Sequence, residues 1–484
     1  MARAAPRKKS VEWIALMTRK LEVVLALILV GGALAFGAVQ PIAYSLVEIF
    51  IFLAVIAFLW SQKRRGTINL SLPIWPVLFV LWVGLQLIPL PQALVAGVSP
   101  AHRLLPELSG AINHGSAWAT LSIYPYLTLL GFFKLLAYLG AFVLAVHLFD
   151  SGRRKSTLVL SFISLGCFEA GYGIIQHLLS WNKIFGVTDP YDLWVAIGTY
   201  INRNHFAGVI ELTFPFVFAS AFYSYQLWSD PRHRVTAVNS GSDGDSSLGF
   251  RIVFFLFLVV IMVVSVIFSF SRGGILSVAF TLIVLSLLTF LKVRRKSWGL
   301  VIASLAVLAL GFSLWIGLGS VLHRFETMGQ SNYLGASRRS MIWTDTLQLL
   351  RQNPVLGTGM GTYGEALRPF QTQLVNMHID HAHNDYLEFA TDTGAVGFCL
   401  LFLPIFYLLG RMVLAFLRDH RRYRGAILLG CIGSTLGLLI HSLTDFNLHI
   451  PANALIFAVI LGIGYKAACI EPEKEAQKRE AAVV

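Results

Sequence analysis

His378-Ile-Asp-His-Ala-His-Asn-Asp-Tyr-Leu387 runs into Gly394-Ala-Val-Gly397, which opens an apolar span over 395–417. Three histidines and two aspartates thus gather at the mouth of a membrane helix, in a chain otherwise poor in charge. A hydrocarbon core about 30 Å thick needs about 20 apolar residues, and backbone inside it satisfies its own hydrogen bonds as helix. Imidazoles titrate near neutral pH, move protons and bind metals. Set where a polar loop re-enters lipid, they point to chemistry on a substrate that lies partly in the bilayer.

Runs of the same apolar kind recur along the whole chain of 484 residues, which is 56% hydrophobic and 13% charged. Twelve spans are expected, at 21–39, 42–60, 72–89, 124–148, 156–179, 205–226, 251–269, 274–291, 298–318, 395–417, 425–441 and 451–468. The fold class is therefore an all-α integral membrane protein. Its net charge of +13 is topological, because alternating the connections puts Arg7-Lys-Lys9, Lys63-Arg-Arg65, Arg153-Arg-Lys155, Lys292 to Lys296, Arg418 to Arg424 and the tail on one side. By the positive-inside rule that side is cytoplasmic, with both termini inside, and nucleic acid is not the partner. The basic, then apolar N-terminus resembles a signal peptide, but eleven further spans argue for an uncleaved first helix. Cys167, Cys399, Cys431 and Cys469 fall in or beside spans without CxxC spacing and read as small apolar residues.

Five regions follow: N-terminal spans and outer loops over 1–204, central spans over 205–318, a large outer loop over 319–394, C-terminal spans over 395–470, and a tail over 471–484. The large loop is patterned. Ser337 reads as an N-cap, Arg339, Trp343, Leu347 and Leu350 share one helix face, and Asn353-Pro354 ends the helix. An amphipathic helix is expected over the outer membrane face, with Trp343 near the headgroups. The 90–123 loop, with His102, Arg103, Glu107 and His114, is placed to meet an acceptor.

Polar clusters fall on the outer side. Arg338 and Arg339 are expected in the first turn of the loop helix, where two guanidinium forks suit a diphosphate. Arg272 stands between two spans among Ser269, Ser271, Gly273 and Gly274. A cation there is costly unless it faces a cavity or partner, so anion binding or capping of helix carbonyls is the choice. Arg203, Asn204 and His205 open the span at 205–226 and offer donors for sugar hydroxyls or phosphate. His441, Asp445, Asn447 and His449 cluster in the last outer turn, as a substrate contact or a polar cap. With His381, His383, Asn384, Asp385 and Tyr386 they imply one composite site.

Asn202-Arg-Asn-His-Phe-Ala-Gly208, Ser269-Phe-Ser-Arg-Gly-Gly274, Arg339-Ser-Met-Ile-Trp343, Asn353-Pro-Val-Leu-Gly-Thr-Gly359 and His381-Ala-His-Asn-Asp-Tyr-Leu387 together resemble the O-antigen ligase and Wzy-type polymerase superfamily. His383-Asn384, nine residues, then Gly394-x-x-Gly397 matches its histidine motif. The resemblance covers about 200–470. It implies a GT-C-like bundle in a bacterial inner membrane, with a large periplasmic loop and a periplasmic active site. It further implies transfer of a glycan from undecaprenyl diphosphate to an acceptor hydroxyl, with no nucleotide sugar or required metal. By motif, His383 would be the catalytic base and Arg272 and Arg339, or Arg338, would hold the diphosphate. The acceptor would be a lipid A core or another lipid-linked glycan, with a slight lean to the former, or a protein hydroxyl. Trp343 and Tyr386 could pack on sugar or prenyl surfaces, or simply on lipid.

Two other readings compete. A transporter or flippase of lipid-linked glycans is suggested by the intramembrane Glu48, Lys134, Glu169 and Glu211, although no repeat symmetry supports it. A metal site at His378, Asp380, His381 and His383 would need ligands at a spacing unlike that of zinc sites. Nothing in the sequence fixes the oligomeric state.

Overall fold

In the computed structural model, residues 5–64, 72–99, 117–150, 156–188, 194–231, 244–293, 298, 333–372 and 377–471 are described. Their helices are α1 (Ala5–Leu34), α2 (Pro41–Lys63), α3 (Ile74–Leu85), α4 (Pro125–Leu148), α5 (Thr157–Leu178) and α6 (Arg203–Trp228). They continue as α7 (Gly244–Phe268), α8 (Arg272–Val293), α9 (Tyr333–Gln352), α10 (Asp385–Arg418), α11 (Arg422–His441) and α12 (Pro451–Tyr465). Strand is limited, among the described residues, to two short ribbons near residues 90–119 and 183–188.

Nine helices among the described residues are long and apolar enough to cross a membrane, and the chain is an all-α multi-pass membrane protein. They coincide with nine of the twelve expected spans. The other three differ. The expected 72–89 span is the 12-residue α3, about 18 Å long at 1.5 Å per residue. The expected 21–39 span is the end of α1, which starts at Ala5, plus a turn at Phe36–Ala38. The expected 298–318 span lies outside the described residues, as do His102, Arg103, Glu107 and His114.

Burial sorts the helices into a centre and a rim. In α6, 89% of the most apolar window is buried, against 17% in α2. Small residues set this order: a Cβ on Gly433 of α11 would stand 2.6 Å from Pro215 Cβ of α6, and such residues let membrane helices pack backbone to backbone. Buried ionisable groups tie α5 to the loop before α6, and α6 to α11. Glu169 accepts from Thr199 Oγ1 at 2.6 Å and Thr199 N at 2.8 Å, and Glu211 Oε1 lies 3.0 Å from His441 Nδ1.

Helix α10 begins at Asp385, ten residues before the expected 395, and breaks at Gly394, where φ is 65°. The break frees amides of the second half, and the 353–361 loop takes them up. Ala395 N donates to Pro354 O at 2.8 Å, and Thr358 N and Gly359 N donate to Thr391 O and Asp392 O at 2.9 Å. A Cβ on Gly394 would stand 2.1 Å from Val355 O. Gln86 ties the joint to α3, donating to Leu356 O at 3.0 Å and Asp392 O at 3.1 Å. Two of the motifs noted in the sequence, around Gly357 and Gly394, thus form one joint.

Helix α9 starts at Tyr333, so Ser337 is not its N-cap and Arg338 and Arg339 lie in its second turn, beyond the region where the helix dipole acts strongly. Its buried face is Ile342, Asp345, Thr346 and Leu349, while Leu347 is 42% exposed. The polar share of this buried face has a chemical cause. Thr372 Oγ1 donates to Asp345 Oδ1 at 2.8 Å and Thr346 Oγ1 meets Tyr363 OH at 2.7 Å, so distant partners make burial of these polar residues tolerable. Ile342 and Leu349 join Tyr363, Leu367 and Ile379 in a satellite core. Trp343 Nε1 donates to Ala382 O at 2.9 Å, which holds its ring against the histidine loop.

Candidate active site

Phe446 is the hub of the site. His381 stacks on its ring at 4.0 Å between centroids, and His383 and His205 meet it edge-on at 5.0 and 4.7 Å. These residues come from the histidine loop, the start of α6 and the 442–450 turn. Asn384 holds the loop on α10 as an N-cap, its Oδ1 accepting from Leu387 N at 3.1 Å, and its Nδ2 donates to Leu443 O at 3.0 Å. Such a cap leaves His383 with φ of 51°, a backbone region sparsely used by residues other than glycine. Strain of this kind gathers at functional positions.

The carboxylates divide into two sets. Asp445 is buried, accepts from Phe446 N at 2.8 Å, and places Oδ1 3.6 Å from His383 Nδ1 and 3.8 Å from His205 Nε2. Burial alone would raise its pKa, but His383, His205 and His441 hold it well below the usual carboxylate range. The His383 side chain keeps 33% of its surface exposed. The second set is Asp385 and Glu388, which clamp His449: Nδ1 lies 2.8 Å from Asp385 Oδ1 and Nε2 3.3 Å from Glu388 Oε1. Burial would lower the His449 pKa, yet Glu388 and Asp385 raise it to about 9. Glu388 also holds His381 Nδ1 at 2.7 Å and Ala382 N at 2.9 Å.

Not every expected site residue reaches this centre. Asp385 is spent on Ser442 Oγ at 2.7 Å, Leu448 N at 3.1 Å and His449, which makes it a support. Tyr386 donates to Leu439 O at 2.7 Å and packs on Phe402, so it belongs to the core. Arg203 and Asn204 sit in the first turn of α6, where Asn202, outside the expected set, caps Asn204 N at 2.8 Å. Arg272 is the exposed first residue of α8. Its neighbour Gly273 abuts the 442–450 turn, since a Cβ there would meet Thr444 Oγ1 at 2.3 Å and His441 Nε2 at 3.0 Å. Arg338 is exposed and Arg339 half-buried on α9, four residues or so before the Trp343 contact with the loop.

Sequence reasoning missed Glu388 and Phe446, and it named Glu211 and His441 without pairing them. For Glu388 a signal existed: an acid one turn after Asp385, in a segment turning apolar, is costly unless paired. Phe446 carried none. The histidine cluster does not converge on one point: His378 pairs with Asp380 at 2.7 Å, His381 with Glu388 and His383 with Asp445. Among the described residues no three His, Cys, Asp or Glu side chains are grouped as a metal site.

Residues 257–402 match the family model described as O-Antigen ligase. That stretch runs from α7 into α10 and includes Arg272, Arg339 and the histidine loop. The match supports the superfamily resemblance carried by the motifs and indicates a membrane glycosyltransferase of the ligase or polymerase type. His205, Asp445 and His449 lie outside it. No curated protein matches the chain.

Proposed function

We propose that the protein transfers a glycan from a polyprenyl diphosphate to an acceptor hydroxyl, with His383 as general base. The observation that carries this is the Asp445–His383 pair. A buried carboxylate facing Nδ1 favours the tautomer protonated there and leaves Nε2, on a part-exposed ring, as the proton acceptor. The acceptor hydroxyl gives its proton to Nε2 as its oxygen attacks the anomeric carbon, and the glycosidic bond to the diphosphate breaks with inversion. Arg272 and Arg339, with Arg338 beside it, are the cations for the charge growing on the departing diphosphate. Trp343 and His381 fix the loop and do not take part in the proton transfer. In this reading the site faces the periplasm of a bacterial inner membrane, consistent with the positive-inside pattern.

The test is transfer by purified protein, with chelator present, from an undecaprenyl-diphosphate glycan to lipid A core or to more of the same lipid-linked glycan. One discrete product on lipid A core identifies a ligase, and a ladder of lengthening lipid-linked chains identifies a polymerase. Loss of transfer with chelator would remove the metal-free mechanism. Absence of transfer to either, with the glycan lipid still crossing proteoliposomes, would replace the enzyme by a transporter.

A further inference from the structure

Helix α5 ends at Leu178, and a short hairpin follows in which Lys183–Ile184 pairs with Val187–Thr188. Its turn is Phe185-Gly186, with φ of 48° and 88°. Positive φ at both central residues is the type I′ geometry, which hairpins usually fill with Asn-Gly or Asp-Gly. A bulky apolar side chain in the first place is strained. Phe185 nevertheless stands there 54% exposed, with Val187 60% exposed beside it.

The hairpin folds back along α5 instead of projecting beyond it. Phe185 N donates to Tyr172 OH at 2.9 Å, while Tyr172 OH and Gln176 Nε2 donate to Lys183 O at 3.3 and 3.1 Å. The rings of Phe185, Tyr172 and Phe168 stack in series, with centroids 5.7 and 5.8 Å apart. Tyr172 lies six residues before the end of α5, about 9 Å back at 1.5 Å per residue. The tip thus returns to a level inside a membrane-spanning helix. Leu160, Phe168 and Ile175 are exposed on one stripe of that helix, and the ring stack joins Phe185 to it. Backbone in contact with lipid needs its polar groups met within the protein. Tyr172 and Gln176 do that for the Phe185 amide and the Lys183 carbonyl.

We propose that this hairpin is sunk in the membrane interface on the histidine-loop side, with lipid covering Phe185 and Val187 where headgroups meet hydrocarbon. Aromatic rings with polar tips favour that level, and the exposed Lys183 beside them reaches headgroup phosphates from it. The anchor extends to the candidate site. His177, one residue before the end of α5, donates from Nδ1 to Trp194 O at 3.0 Å and packs its ring on Phe268 at 4.5 Å between centroids. Ala196 N donates to Phe268 O at 3.0 Å, and Ile184 of the hairpin packs with Val195, Ile197 and Phe270 in a small core. Phe270 stands two residues before Arg272, so the anchored hairpin holds the Arg272 turn at headgroup level. This role stands apart from the transfer reading and falls on residues outside the matched stretch 257–402.

Tryptophan reporters in the full-length protein, in nanodiscs of phosphatidylglycerol and phosphatidylcholine, test this against a parent with eleven tryptophans. Phe185→Trp, with Val187→Trp as second reporter should the first not fold, is read as emission added over the parent. That emission is expected to shift to the blue, to lose most of its intensity to phosphatidylcholine brominated near the headgroup, and to resist aqueous iodide. Quenching by iodide without quenching by bromolipid would place the tip in water and overturn the proposal. Shielding from both would mean that a second copy of the chain covers the tip, which overturns it as well. Leu276 is exposed one turn beyond Arg272 in α8, and Leu276→Trp is expected to share the shallow profile. Stronger quenching of either reporter by lipid brominated near the chain end would set the tip or the Arg272 turn below the headgroups, which overturns the level assigned to it.

Discussion

On the face opposite the histidine loop, Lys292 Nζ donates to the carbonyls of Phe416, Leu417 and Asp419 at 2.7, 2.9 and 2.5 Å. There Arg424 pairs with Asp419 and Arg422 with Asp230. On the loop face, His205 Nε2, His383 Nδ1 and His449 Nε2 are buried without a hydrogen bond among the described residues, each facing a carboxylate at 3.3–3.8 Å, and Asp445 Oδ2 is likewise unbonded. Both faces carry charge in a chain that otherwise avoids it. One saturates its cations with helix C-terminal carbonyls and carboxylates, which fixes helix ends. The other keeps polar atoms under-satisfied at a cost in stability, which is what a site awaiting a polar ligand requires.

Substitutions can break that contrast, and the largest effect belongs to the loop face. His383→Ala is expected to lower transfer by about 10²- to 10⁴-fold, the range of general acid–base catalysis, with thermal unfolding in detergent little changed. Retained activity would remove His383 as base. Asp445→Asn is expected to lower kcat by up to about 100-fold, the lower end of that range, with KM for the donor nearly constant. A proportional change in KM alone would make Asp445 a binding group.

A scaffold change should behave differently. Gly394→Ala forces a side chain into φ of 65° and onto Val355 O. The backbone term alone costs about 1–3 kcal/mol, so a lower unfolding temperature should accompany any loss of activity. Unchanged stability would mean that the 353–361 loop does not hold the joint. On the opposite face, Lys292→Met is expected to cost about 1–3 kcal/mol of stability, as for hydrogen bonds to a charged donor, with transfer within about twofold of the parent. A large catalytic defect there would erase the distinction between the faces.

The loop face also carries a pH dependence. His449 has its pKa raised to about 9 in the folded protein, from 6.5. Its stabilisation is therefore full below about pH 6.5 and is lost as pH rises through about 9. Unfolding temperature should fall on the alkaline side, and His449→Gln should flatten that limb. An equal slope in the variant would assign it to other groups.

Much of the bundle was legible because lipid imposes one rule, about 20 apolar residues per crossing, and nine helices among the described residues satisfy it. That rule has no provision for α3, which is apolar but short, nor for α10, which is already helical at Asp385 before the apolar run begins. On α9, hydrophobic periodicity does not reveal that Asp345 and Thr346 are buried, because it cannot know that they will find partners in Thr372 and Tyr363.

Repeated membrane crossing and the motifs that carry the family resemblance were readable from residue order alone, since span length, charge bias and motif order are local properties. It took the folded chain to show that Phe446 gathers His205, His381 and His383, and that Asp445 faces His383 while Asp385 and Glu388 face His449. Those pairings join residues up to hundreds of positions apart, and the packing of α6, α11 and α12 sets them. Electrostatic roles follow distance in space, which no local pattern encodes.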